Sequence, residues 1–163
     1  MQNLLSNDST YQTASISSGG GAPWFPSLRF YPRFLSVVCQ SAYSATRGAY
    51  TNEVWQEHSI KVLRALEGVG VEIKVTGLEH VKGVDGPVVF VGNHLSVMET
   101  VVLPSWILSH KPFTYVIKQS LLEVPIFKHV MSSLDPIAVT RTNPRLDLKI
   151  VLEQGVQRVE QGL

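Results

Sequence analysis

The apolar positions along the chain follow two periods. In "NEVWQEHSIKVLRALEGVG", Trp55, Ile60, Leu63 and Leu66 fall near one stripe, which predicts a helix with Asn52 as its cap and Gly68 or Gly70 as its stop. "VEIKVTG" then alternates apolar and polar residues, the mark of a half-exposed strand. "PVVFVG" is continuously apolar, as in a strand buried on both faces. "VMETVVLPSWILSH" reads as helix interrupted at Pro104, "FTYVI" as strand and "SLLEVPIFKHVMSSL" as helix in parts. "PIAVT" is a further strand. The last segment, "NPRLDLKIVLEQGVQRVEQG", opens with Asn143 as cap and Pro144 in the first helical position, and Leu148, Leu152, Val156 and Val159 line one face.

Strand and helix in alternation imply an α/β fold, with a mostly parallel sheet flanked by helices. The region before it is helical, so an N-terminal helical pair precedes the sheet. A final helix of this kind normally leads into another strand, and here the chain stops at "EQGL". The C-terminal part of the fold is therefore expected to be missing.

Residues 1–22 are small and polar, "NDSTYQTASISSGGGAP" among them, with too little apolar surface to offset the entropy of ordering. They are expected to be a disordered tail. Residues 23–70 form the helical segment. Its first half interleaves Trp24, Phe25, Phe30, Tyr31 and Phe34 with Arg29 and Arg33, and a helix is expected after Pro32. Two readings are open. Aromatics at the headgroup level with arginines on anionic lipid make an interfacial membrane helix; the same pattern also suits a helix packed on its own core. Residues 71–163 make up the α/β domain as far as the chain carries it.

Composition narrows the function classes. A net charge of +1 offers no footprint for nucleic acid. The single Cys39 permits neither an internal disulfide nor a cysteine metal cluster. No apolar run reaches the length of a membrane-spanning helix, and the first residues lack the basic-then-apolar pattern of a secretory signal. His58, His80, His110 and His129 show no metal-ligand spacing and read as structural or surface residues. Gly-x-Ser-x-Gly and Gly-x-x-x-x-Gly-Lys motifs are both absent.

Ligands of α/β sheets gather beyond the carboxyl ends of the strands. Three polar groups fall there: Asn93-His94 after "VVFVG", Lys118 after "FTYVI" and Arg141 after "PIAVT". A base beside two cations suits an anionic substrate, the histidine taking a proton from its hydroxyl. Residues five apart on one helix lie about 140° apart, so His94 must sit in the turn before the helix for Glu99 to reach it. By spacing alone two roles for Glu99 stand. Ser96-Val-Met-Glu99 is a capping box; equally, a carboxylate on Nδ1 of His94 would leave Nε2 free as a base. Each of His94, Lys118 and Arg141, taken singly, also suits a turn or surface residue.

These residues resemble the glycerophospholipid acyltransferases, the family of 1-acylglycerol-3-phosphate (lysophosphatidic acid) acyltransferases. "GNHLSVMET" is similar to that family's Asn-His, four residues, acid motif; "VIKQSLLEVPIFKHVM" to its lysine, Ser-Leu, Pro-x-Phe block; and "LDPIAVTR" to its Ile-Asp-Arg block. The three blocks stand in the family's order over about Val71–Leu163. The resemblance implies that His94 deprotonates the acceptor hydroxyl of a lysophospholipid or glycerol phosphate. Glu99 orients His94, and this role now takes precedence over the cap, although one carboxylate has acceptor sites enough for both. Asn93, Lys118 and Arg141 would bind substrate, the two cations holding the acceptor phosphate. Acyl-CoA or acyl-carrier protein would donate the acyl group as a thioester, with no cofactor, no metal and no acyl-enzyme. The implied location is the cytoplasmic face of a membrane, bound peripherally.

The chain also departs from the family pattern. Glu99 stands where the acid is usually Asp, Lys128 where glycine commonly follows Pro-x-Phe, and Thr140 where the third block has Asp. The later Pro-Glu-Gly-Thr-Arg block does not occur in these residues. Three rival readings follow: a lipid A-type acyltransferase, a truncated non-catalytic lipid-binding module, and a soluble thioester hydrolase.

Overall fold

The computed structural model describes residues 10–13 and 24–163. Helix α1 (Pro26–Thr46) begins earlier than the sequence suggests and runs through Pro32. Proline at its first position is tolerated because the first N–H groups of a helix have no internal partner. Helix α2 (Asn52–Glu67) is capped by Thr51, whose hydroxyl accepts the Val54 N–H at 3.5 Å, one residue ahead of the expected Asn52; Gly68 stops it as predicted. Phe30 and Val37 of α1 bury against Val62, Ala65 and Leu66 of α2. The core reading of the α1 region therefore holds for part of its residues. Phe30 and Val37 belong to the core, whereas Trp24 is 92% exposed, and Phe25, Leu28, Tyr31 and Leu35 also face outward.

Strand β1 (Thr10–Gln12) pairs antiparallel with β2 (Lys74–Thr76), Tyr11 opposite Val75. Part of the expected tail is thus strand, because Tyr11 buries its ring with Leu63, Leu78 and Trp106. The rest of the 1–22 segment lies outside the described residues. Leu63 is fully buried, a position where truncation to alanine costs about 2–5 kcal/mol. Among the described residues no helix is long and apolar enough to cross a membrane.

After the short helix α3 (Leu78–Lys82), residues 87–96 form no regular secondary structure. The run Val88–Gly92, expected as a buried strand, has no ladder partner among the described residues, and Val91 is 92% exposed. An apolar run becomes a strand only where a neighbour takes up its backbone N–H and C=O groups. The next predicted helix divides at Leu103 into α4 (Val97–Val102) and α5 (Pro104–Ile107).

Strand β3 (Val116–Lys118) leads through a 3₁₀ turn (Gln119–Leu122) to α6 (Pro125–Ser133). Strand β4 (Ile137–Val139) and α7 (Pro144–Glu160) follow. β3 and β4 pair in parallel, with Lys118 level with Val139. The architecture is mixed α/β. Among the described residues it has two small sheets, one antiparallel and one parallel, the parallel pair being the part of the expected mostly parallel sheet that they contain.

Helix α7 is turned differently from its expected orientation. Of the predicted stripe, Leu148, Leu152 and Val156 are exposed and Val159 is partly buried. Asp147 is the buried position, and Ile150, Val151, Gln154, Gly155, Arg158 and Val159 are partly buried. Polar contacts set this rotation: Asp147 bonds the loop after β4, and Arg158 Nη2 lies 2.8 Å from Asp135 Oδ1.

Candidate active site

The site is built on the loop that enters α4. Ser96 is extended (φ −147°, ψ 160°) and caps the helix: its Oγ accepts the Met98 N–H at 3.1 Å. Glu99 sits in the first turn and turns back. Its carboxylate accepts the Ser96 N–H at 3.1 Å and the Leu95 N–H at 3.2 Å. The same carboxylate reaches the imidazole, with His94 Nδ1 2.9 Å from Glu99 Oε2. Both roles that the spacing allowed are therefore carried by one side chain. An ionised carboxylate only accepts hydrogen bonds, so Nδ1 holds the proton, and in the neutral imidazole Nε2 then carries the lone pair.

The His94 side chain is 64% exposed, which leaves Nε2 open to a ligand. The backbone N–H of Ser96, then His94 and the N–H of Leu95, hold the Glu99 carboxyl below the usual carboxylate range. Glu99 thus remains an anion well below neutral pH. Asn93 is exposed beside the histidine.

Lys118 is the last residue of β3, and Arg141 lies two residues past the end of β4. Because the strands run parallel with Lys118 level with Val139, both cations emerge at the same end of the ladder. Both are exposed. Tyr115, just before β3, donates its hydroxyl to the Thr100 carbonyl at 3.0 Å and so ties β3 to the helix carrying Glu99. Burial pushes the Tyr115 hydroxyl far above its usual range, so it stays protonated and this tie persists at any working pH.

Asp147 is the residue that sequence reasoning passed over. It accepts the Thr140 N–H at 2.9 Å and the Arg141 N–H at 2.7 Å, and so shapes the loop that presents Arg141. The signal was available: like Glu99, Asp147 is an acid in the first turn of a helix entered from a loop. The cap is Asn143, whose Oδ1 accepts the Leu146 N–H at 3.2 Å as expected. His58, read as structural, is buried and pairs through Nδ1 with Ser41 Oγ at 2.7 Å, away from the His94 loop in sequence.

A histidine held by a carboxylate at a helix entrance, in a mixed α/β domain, defines a site able to take a proton from a hydroxyl. The family model described as Acyltransferase matches residues 72–163. A 1-acyl-sn-glycerol-3-phosphate acyltransferase of Pseudomonas aeruginosa is 32% identical over 108 residues, covering 66% of this chain and 39% of that relative. The chain belongs to the glycerophospholipid acyltransferase family. It spans 39% of the length of the curated relative that it matches. No solved structure matches it.

Proposed function

We propose that this protein moves a fatty acyl group from a thioester to the free hydroxyl of lysophosphatidic acid or a related glycerophosphate. The observation that carries the reading is the 2.9 Å contact between His94 Nδ1 and Glu99, which in the neutral imidazole places the lone pair on Nε2 of an exposed side chain. Family membership and the printed activity of the Pseudomonas relative support it.

In this reading Nε2 of His94 takes the proton of the acceptor hydroxyl as its oxygen attacks the thioester carbonyl carbon. The imidazolium that forms is stabilised by Glu99. The tetrahedral intermediate collapses, the carbon–sulfur bond breaks, and the proton passes from His94 to the leaving thiolate. The products are the new oxygen ester and a free thiol. Lys118 and Arg141 hold the acceptor phosphate, and Asn93 contacts substrate beside the base. The donor is acyl-CoA or acyl-carrier protein.

The protein works at a membrane surface, on the cytoplasmic side, bound peripherally. The outward aromatic and apolar residues of α1 with Arg29 and Arg33 support this, because such a face sits well at the headgroup level. The same reading sets β3 and β4 in a larger parallel sheet and takes residues 71–163 as the N-terminal part of the domain, with the 39% coverage of the relative in support.

The test is transfer of labelled acyl groups in vesicles, with the protein as its gene encodes it. Label should move to lysophosphatidic acid, and free thiol should appear only when the acceptor is present. Thiol release without an acceptor would select the hydrolase. Vesicle binding without transfer would select a lipid-binding module, and preference for a lipid A-type acceptor would select that branch of chemistry.

A further inference from the structure

Arg141 has a backbone φ of +63°, in the left-handed region that non-glycine residues adopt only when their surroundings hold them there. Asp147 supplies the hold. One of its oxygens accepts the Arg141 N–H at 2.7 Å; the other accepts the Thr140 N–H at 2.9 Å and the Thr140 hydroxyl at 3.1 Å. The Thr140 hydroxyl oxygen in turn accepts the Thr142 N–H at 3.2 Å. Asp147 is only 9% exposed, whereas Arg141 is exposed and its guanidinium has no hydrogen-bond or ion-pair partner among the described residues.

Helix α7 has no need of Asp147 as a cap, because Asn143 fills that position. The carboxylate instead points back at two successive N–H groups of the loop. It also sets the rotation of α7, bringing a polar residue inward while Leu148 and Leu152 face solvent. Asp147 is the buried residue of α7, and both of its carboxylate oxygens bond the loop backbone.

We infer that Asp147 is a positioning residue: it locks the backbone at Thr140–Arg141 and so sets how Arg141 is presented at the end of the ladder where Lys118 also emerges. The inference rests on the reading of Arg141 as a holder of the acceptor phosphate. Asp147 itself touches no substrate. Its effect on catalysis runs entirely through Arg141.

The experiment is a double-mutant cycle on the protein as its gene encodes it, with kinetics and amide exchange on each variant. Asp147→Asn should raise the KM for lysophosphatidic acid by about tenfold, the size of one lost hydrogen bond to a charged group, with donor KM unchanged. In an Arg141→Ala background the same change should add less than about twofold. Exchange should show the Arg141 amide losing protection in Asp147→Asn while the amides of α7 stay protected. Thr140→Val, which removes only the hydroxyl contact, should show the same pattern at a smaller size and serves if Asp147→Asn does not fold. Equal losses on donor and acceptor, or an undiminished effect without Arg141, would overturn the inference. Should Arg141→Ala leave acceptor KM unchanged, the phosphate reading falls. The exchange data then decide separately whether Asp147 sets the Arg141 backbone, and unaltered protection would overturn that too.

Discussion

His94 Nδ1 and Glu99 Oε2 lie 2.9 Å apart across the start of α4, the imidazole in the loop and the carboxylate in the first helical turn. The same carboxylate closes the capping box of that helix, so the cap fixes the position of the group that meets the imidazole. Structural and chemical roles are joined in one side chain, and a substitution can separate them.

Glu99→Gln is that substitution. Glutamine also serves in a capping box, so the melting temperature should move little. The negative charge behind the imidazolium is lost, and kcat should fall by about a hundredfold, the lower end of a positioned base's contribution. Parallel kinetics and thermal melts check it. An unchanged kcat would return Glu99 to a purely structural role.

Lys118→Ala and Arg141→Ala should each raise the acceptor KM, by about tenfold for a lost charged hydrogen bond, and leave the donor KM alone. Added salt should weaken acceptor binding in the parent more than in either variant. Initial rates over a grid of acceptor and salt concentrations read both effects.

His58 makes stability depend on pH. Burial, with a contribution from Lys61, holds its pKa below the ordinary 6.5 in the folded chain. The unfolded chain therefore takes up a proton first as pH falls. His58 contributes stability above the unfolded value, and that contribution declines as pH drops through 6.5 toward the lower folded value. Melting temperatures at pH 8 and pH 5.5 should differ in that direction, and His58→Gln should flatten the difference.

Tyr11 acts at the other end of the scale. Burial, then its hydrogen bond to Glu67, pushes its hydroxyl up to about 12 from 10.0. A raised folded value means stability that is full below pH 10 and lost as pH rises through about 12. Tyr11→Phe should remove that alkaline loss while keeping the ring in its pocket with Leu63 and Trp106. Tyr11→Ala should cost about 3–5 kcal/mol as a truncated core aromatic, and denaturant melts measure it.

The elements most readable in the sequence are those whose signals are local. Asn143-Pro144 announces α7, Gly68 stops α2, and Pro104 divides α4 from α5, because each acts through its own backbone. What depended on distant partners was hidden. Val88–Gly92 carries a strand's composition, but pairing is a property of a neighbour, and β3 and β4 pair with each other. Thr10–Gln12 looks like tail and is a strand only because Tyr11 finds Leu63 and Trp106. The stripe Leu148, Leu152, Val156 was legible as a face, yet the buried bonds of Asp147 decided which way that face turned. At the site, the spacing allowed the His94–Glu99 contact beside a plain cap and the family resemblance put it first, whereas the link from Asp147 to Arg141 needed the turn in three dimensions.

The most direct test of the central claim is the rate of acyl transfer to lysophosphatidic acid by His94→Ala beside the parent protein, in the same vesicles with the same donor. With Nε2 as the base, the rate should fall by about a hundredfold or more while vesicle binding is unchanged. A rate within a few-fold of the parent would contradict the account, because the acceptor proton would then be removed without His94.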